Sequence, residues 1–546
     1  MAEERNEHRL ALSLMKTNEV RICVPVCVER ASELAGAVKR AAEVADIIEL
    51  RLDYLSETVL AQSYKEIWAA LASRRRPMIL TLRPAEYGGR RALSVEDRLL
   101  CWLKNSWWQK EPRADFCDLE LDLAVSLPRQ SEGFDVVLSG KCDWTRIICS
   151  HHDFVGVSSD LEKIYERMAA TPAHVLKIAV QADDALDCLP VFRLLDRARR
   201  EGREMIAIAM GQAGIMTRIL GPSRGAFLTY GSLDDESATA PGQLTARELR
   251  EIYRIDQINQ QTEIIGLIGR PVSHSVSPHI HNAAFAASEV NAVYIPFEVG
   301  DAAQFMSRMI HPRSREMDWN LRGLSVTAPH KRAVMNCLDW VEPAAKEIGA
   351  VNTIVVEDNE LHGYNTDTLG FISPLREKYG ALNGARCAII GAGGAARAAL
   401  SGLRNENGQP TLFARDVLKA KPVAEEFGVE CRPLAGARFD GFDILVNATS
   451  LGTRGEHENA TPATAEQLRG VRLAYDLVYN PIETRFLREA QIAGCETIAG
   501  IEMLIAQAIE QFKLWTGKQP DVEIMRRAAM KALSPESNIQ HLTSNI

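Results

Sequence analysis

Along the first 250 or so residues, short apolar runs alternate with longer stretches that carry an apolar stripe on a polar background. The runs RICVPVCV (21–28), DIIELRL (46–52), PMILTLR (77–83), FCDLELD (116–122), TRIICSHH (145–152), HVLKIAV (174–180), EMIAIAM (204–210) and FLTYGS (227–232) have strand length and strand composition. Between them, stretches such as ERASELAGAVKRAAEV and DALDCLPVFRLLDRARREG repeat apolar positions at helical spacing. Near-continuous apolar strands suit a parallel sheet covered by helices. Eight such strand–helix units predict a (β/α)8 barrel over residues 19–255.

The polar segment RIDQINQQTE (254–263) reads as a linker, and EIIGLIG (263–269) opens a second α/β region. Within it, GARCAIIGAGGAARAAL (384–400) is a strand running into a Gly-rich turn and a helix. The second half therefore divides into an α/β domain over 263–375, a Rossmann-like dinucleotide domain over 380–498, and a helical segment over 500–530 that returns to the first of these.

Composition narrows the function classes. The chain has 546 residues, 46% of them hydrophobic and 25% charged, as in an ordinary globular protein. A net charge of −9 without a block of Lys and Arg argues against nucleic acid as a partner. No apolar run reaches the length of a membrane span, so no membrane partner is expected. The N-terminal MAEERNEHRLALSLMK lacks a signal-peptide core and carries acids that transit peptides avoid, which predicts a cytoplasmic protein. Eleven scattered cysteines without a CxxC pair read as reduced core thiols. His279 and His281 lack a third ligand at sensible spacing, so no metal is expected.

In a (β/α)8 barrel the chemistry gathers at the C-terminal ends of the strands. Glu49 and Arg51 end the second strand, Arg83 the third and His152 the fifth. Lys177 lies in the sixth, Arg218 follows the seventh, and TAPGQ (239–243) follows the eighth. Each has a structural alternative: Lys177 could snorkel from an edge, His152 could be a satisfied core group, and Arg83 could pair with Glu49. Their gathering at one mouth favours a site. A lysine in a dry pocket beside other cations can act as a free amine, attack a ketone and form an imine. A histidine nearby can move the proton of the acidified C–H, and arginines can hold a carboxylate.

The set ELRLDYL, TLRP, SHHDF, LKIAVQ, MTRILG and TAPGQ, in this order over about residues 19–250, resembles type I 3-dehydroquinate dehydratase. The resemblance implies that Lys177 forms the imine, that His152 is the general acid/base, and that Glu49, Arg51, Arg83, Arg218, Thr239 and Gln243 line the substrate site. It departs at RPAEYGG, where Tyr87 stands in the slot that the family gives to a glutamate and Glu86 sits one residue earlier. The group that orients His152 is therefore left open.

In the dinucleotide domain, Gly391, Gly393, Gly394 and Ala395 provide a tight turn and a helix start where backbone N–H groups can approach a pyrophosphate. The next strand, TLFAR, ends in Arg415, with Lys419 one helical turn on. Cations there fit a 2′-phosphate, so the expected cofactor is NADP(H). Upstream, PVSHSVSPHIHN presents Ser275 and Ser277, SVTAPHK presents Thr327 and Lys331, and GAVNTI with GYNTDTLGF presents Asn352, Thr366 and Asp367. Each alone could be a cap or turn residue.

Together with VNATSLG, YDLVYNP and GIEMLIAQA, these motifs resemble shikimate dehydrogenase over about residues 263–530. The resemblance implies reduction of 3-dehydroshikimate by NADPH, with Lys331 and Asp367 as the acid/base pair. Ser275, Ser277, Thr327, Asn352, Tyr479 and Gln507 would bind shikimate, and Asn447, Thr449 and Gly500 would lie beside the cofactor. Ser325 replaces an asparagine of single-domain relatives. The two resemblances, in plant-type fusion order, describe a lyase and an oxidoreductase of aromatic amino acid biosynthesis acting in succession on 3-dehydroquinate. The alternatives are a quinate-type dehydrogenase and a non-catalytic quinate- or shikimate-responsive regulator.

Overall fold

A computed structural model describes residues 20–56, 64–105, 107, 112–127, 142–240 and 242–534. The N-terminal stretch read above and Pro241 of TAPGQ lie outside them. The chain forms two compact units that meet in sequence between Thr262 and Glu263.

The first unit is built on eight parallel strands: β1 (Ile22–Val26), β2 (Ile47–Arg51), β3 (Met78–Thr81), β4 (Phe116–Glu120), β5 (Ile147–Asp153), β6 (Val175–Gln181), β7 (Glu204–Met210) and β8 (Thr229–Tyr230). They run in the order β7-β6-β5-β4-β3-β2-β1-β8, each on or within two residues of an apolar run identified in the sequence. Closure is thin. β8 is two residues long and pairs with β1, while an isolated bridge between Met205 and Ala226 and the bond from the Phe227 N–H to the Met205 carbonyl join the β7 side. Inside, Cys23, Ile79, Phe116, Ile148, Val175 and Ile206 pack as one buried cluster. The expected barrel is present.

The segment 254–263 is not a free linker. Ile255 and Ile258 are buried, Ile255–Gln257 forms a 3-10 turn, and Glu263 already begins a strand. Two isoleucines three apart anchor an otherwise polar stretch, which a reading of its average polarity overlooks.

The second unit holds two sheets. The strands β9 (Glu263–Gly269), β10 (Ala292–Glu298), β11 (Leu321–Val326), β12 (Trp340–Val341), β13 (Thr353–Glu357) and β14 (Glu360–Tyr364) form a mixed sheet in the order β10-β9-β11-β13-β14-β12. The strands β15 (Arg386–Ile390), β16 (Gln409–Ala414), β17 (Glu430–Pro433), β18 (Ile444–Asn447), β19 (Leu473–Asp476) and β20 (Glu496–Ile498) form a parallel sheet, β17-β16-β15-β18-β19-β20. Its order reverses between β15 and β18, the position where such sheets take a dinucleotide.

The helix Gly500–Thr516 leaves β20 and lies on the mixed sheet. The Trp515 indole donates to the Ile354 carbonyl at 3.0 Å, and Gly323 has no Cβ to obstruct the ring. A second helix, Val522–Leu533, follows a break at Gly517. Trp515 is fully buried beside Phe512, Phe285 and Tyr294. Trp515→Ala should therefore destabilise the second unit by about 3–5 kcal/mol. Calorimetry should show its transition at lower temperature and the first unit's transition unmoved.

Candidate active sites

The eight barrel residues picked out in the sequence line one cleft. Glu49, Arg51, Arg83, His152, Lys177, Arg218, Thr239 and Gln243 all line it, and it is partly open to solvent. Alternation along the strands places them there. Glu49 and Arg51 are two apart on β2, and Lys177 and Ala179 are two apart on β6, so each pair shares a face.

Lys177 is not surrounded by cations alone. Its Nζ lies 2.8 Å from Asp118 Oδ2, 2.8 Å from the Tyr230 hydroxyl and 3.6 Å from Glu49 Oε1. Acids join the cations around it, because β4 places Asp118 inside the barrel. Glu49 also accepts from the Thr81 hydroxyl at 2.6 Å. Burial works against the Asp118 carboxylate, yet Arg83 and Lys177 hold it below its usual range.

Arg83 binds the other side of this cluster. It pairs with Asp118 Oδ2 at 2.8 Å and lies 3.4 Å from Glu120, not with Glu49. It also donates to His152 Nδ1 at 2.8 Å. A guanidinium has no acceptor, so Nδ1 presents its lone pair and a neutral His152 carries its proton on Nε2. Burial, then Arg83 and Lys177, holds the imidazole well below its usual range. At RPAEYGG the contacts differ: Arg83 touches His152, whereas Glu86 is exposed and 4.0 Å from Arg98. Tyr87 lines the cleft.

Arg51 is held by both oxygens of Asp53, at 2.9 and 2.8 Å. Arg218 differs. It is buried, its Nε has no partner, and burial pulls it down to about 10. A buried guanidinium with no acid is costly unless a ligand brings one. Gln243 Oε1 accepts from the Thr239 N–H at 2.8 Å and holds that loop. Sequence reasoning passed over Asp118, Glu120 and Tyr230. The signal was available, because acids at 118 and 120 in an apolar strand raise the same question as Lys177.

In the second unit Lys331 Nζ lies 2.5 Å from Asp367 Oδ2. Asn352 donates to Asp367 Oδ1 at 2.8 Å and to the Thr366 hydroxyl at 3.0 Å. Ser275 accepts from the Ser277 N–H at 3.2 Å in the turn after β9. Thr327 follows β11 and meets Gly269, so the two turns lie side by side. Gln507 faces Gly370 on the helix Asp367–Tyr379, and its amide returns to its own helix at Leu504. Tyr479 packs against the cluster containing Ile501 and Ile505. Gln511, not anticipated, joins Ser325, Thr353 and the Asn352 carbonyl. The pair QAIEQ on one helix was its signal.

The turn after β15 fits a pyrophosphate. Gly391 has φ +109° and lies against Ala448 and Thr449, and a Cβ at Gly393 would stand in open space. At Gly394 a Cβ would lie 3.8 Å from Lys331 Cδ, so the turn borders the Lys331–Asp367 pair. Ala395 lies in the first turn of the helix Gly394–Asn405. Arg415 and Lys419 are exposed beyond β16, with Asp416 capping the helix between them. Asn447 is fully buried, with its amide on Asp476 and Leu451 and its oxygen on Thr449. Gly500 lets the helix approach Val478, where a Cβ would lie 2.5 Å from backbone. Both positions shape the loop rather than offer a free group. Among the described residues no cluster of His, Cys, Asp and Glu could hold a metal ion.

Residues 22–260 match the family model for type I 3-dehydroquinase. Residues 267–354 match the shikimate dehydrogenase substrate binding domain, and 500–530 the shikimate 5′-dehydrogenase C-terminal domain. The bifunctional 3-dehydroquinate dehydratase/shikimate dehydrogenase of Arabidopsis thaliana chloroplasts is 33% identical over 522 residues, 92% of this chain and 82% of that protein. The shikimate dehydrogenase (NADP(+)) of Moorella thermoacetica is 40% identical over 294 residues, 52% of this chain and 97% of that one. A crystal structure of a shikimate dehydrogenase in complex with NADP+ is 38% identical, with a TM-score of 0.48, covering 51% of this chain and 98% of that one.

Glu120 supplies a pH test of the barrel network. Burial pushes its carboxyl from the ordinary 4.5 up to about 7, although Arg98 lies at 2.8 Å. The folded state then binds more protons than the unfolded chain across that window, so stability falls as pH rises through it. Glu120→Gln should remove about 1–3 kcal/mol of that fall. Urea midpoints of the first unit at pH 5 and pH 8 measure it.

Proposed function

The chain belongs to the family of bifunctional 3-dehydroquinate dehydratase/shikimate dehydrogenases, and on that premise we propose that it converts 3-dehydroquinate to 3-dehydroshikimate through an imine on Lys177 and then to shikimate with NADPH. The observation that carries the reading is the meeting of Lys177, His152 and the unpartnered Arg218 in one cleft. The free thiols of all eleven cysteines suit a reducing compartment, and we place the protein in the cytoplasm with small molecules as its partners. The net charge of −9 supports a protein that does not bind nucleic acid.

In the first unit, Arg218 receives the substrate carboxylate, the acid that its burial lacks. Lys177 passes its proton to the Asp118 carboxylate bonded to it and attacks the ketone; that proton returns to the hydroxyl that leaves as water, and the protonated imine left behind acidifies the neighbouring C–H. His152 removes that proton at Nδ1, the nitrogen that Arg83 covers at rest. Arg83 uncovers it by turning to a substrate oxygen, so the base is exposed when substrate is present. His152 then returns a proton to the departing hydroxyl.

In the second unit, NADPH supplies a hydride when bound. Lys331 delivers a proton to the carbonyl oxygen, and Asp367, fixed by Asn352, holds Lys331 in place. Ser275, Ser277, Thr327, Tyr479 and Gln507 hold the ring hydroxyls and carboxylate. Backbone N–H groups from Gly391 to Ala395 meet the pyrophosphate, Thr449 borders that turn, and Arg415 with Lys419 meets the 2′-phosphate.

NADPH oxidation started with 3-dehydroquinate alone tests both steps together. Lys177→Ala should abolish that signal and leave the rate with 3-dehydroshikimate intact; loss of both, or of neither, would contradict the assignment. Separately, Arg415→Ala should lower kcat/KM for NADPH by about ten- to several hundred-fold, the worth of one or two charge-assisted bonds. NADH kinetics should barely change. A ratio of the two that stays within about twofold removes Arg415 from phosphate recognition.

A further inference from the structure

Tyr230 stands apart from the residues assigned so far. It forms the end of β8, is buried, and lines the cleft. Its hydroxyl is 2.8 Å from Lys177 Nζ, which also lies 4.5 Å from the ring centroid. We propose that Tyr230 is a further catalytic residue of the dehydration: its hydroxyl accepts from the Lys177 ammonium at rest and donates to the ketone-derived oxygen when the amine attacks. The proposal rests on the imine reading above.

Among the described residues that touch Nζ, Tyr230 alone offers a group that can act in both ways. Asp118 and Glu49, as carboxylates, only accept. In the attack the nitrogen lone pair forms the N–C bond, and the carbonyl π pair moves onto oxygen. That oxygen is now one carbon removed from Nζ, within reach of a hydroxyl already bonded to Nζ. The ammonium first passes one proton to the Asp118 carboxylate; the oxygen then takes another from the nitrogen as the carbinolamine forms, so Tyr230 keeps its own throughout. A donor placed beforehand where negative charge develops lowers the barrier without reorganisation. Burial, with Glu49 beside it, holds the phenol well above its usual range, so it remains a donor at working pH. The ring contributes separately, because the ammonium rests against its face.

Tyr230→Phe removes the hydroxyl and keeps the ring. The kcat for dehydration is expected to fall by about 10- to 1,000-fold, the range for a lost oxyanion donor, with KM within about threefold. The rate at which borohydride traps the substrate on Lys177 should fall in parallel. Reduction of 3-dehydroshikimate should be unchanged, which reports an intact chain. Tyr230→Met, which removes the ring and the donor together, should lose at least as much. Dehydration and trapping rates within about twofold of the unmutated enzyme in either variant would overturn the role of Tyr230. Absence of any Lys177 adduct in the unmutated enzyme would instead overturn the imine on which the role rests.

Discussion

The barrel depends on one buried charge cluster. Asp118 Oδ2 is shared at 2.8 Å by Lys177 and by Arg83. Remove that carboxylate and two cations remain in a dry interior, at a cost that ordinary packing does not offset. Its presence sets the rest of the site. Arg83, anchored on Asp118, turns its other amine onto His152 and fixes the tautomer. Arg98 takes Glu120, the acid Arg83 binds less closely. Every strand from β2 to β6 contributes to this network or to a residue that touches it, so the parallel register and the chemistry are set by the same side chains.

The second unit solves a related problem in wetter surroundings. Lys331 retains about a quarter of its side chain in solvent and has one acid, Asp367, where Lys177 has two. The difference matches the tasks. In the roles proposed above, Lys177 becomes a nucleophile inside a pocket of acids, whereas Lys331 only passes a proton to an oxygen at the edge of water. Asn352, bonded to the Asp367 carboxylate, and Gln511, bonded to Thr353 and the Asn352 carbonyl, carry the positioning.

Much of this was legible in the sequence. Apolar runs gave all eight barrel strands, and polar residues at their ends gave the lining of the cleft, because strand alternation and the polarity of a parallel barrel leave those side chains one destination. What stayed hidden were relations between strands. Asp118 lies 59 residues from Lys177, and no local pattern says that the two are paired. The contact from Arg83 to His152 was hidden for the same reason. The burial of Ile255 and Ile258 was missed because averaged polarity hides two isolated anchors. Asn447 and Gly500 show the converse. Their motif was plain, but their physical task, satisfying a loop and permitting a close helix, emerges only from packing.

The thin closure of the barrel has a mechanical consequence. Lys177 stands on β6 and Tyr230 on β8, with β7 between them, and it is the segment just before β8 that meets β7, at the isolated Met205–Ala226 bridge. The hydrogen bond between those two side chains therefore acts as a clasp across the weakest join of the wall. In the proposed imine step Nζ becomes bonded to carbon and exchanges its partners, and that exchange falls on the join of the wall that the fewest backbone bonds hold.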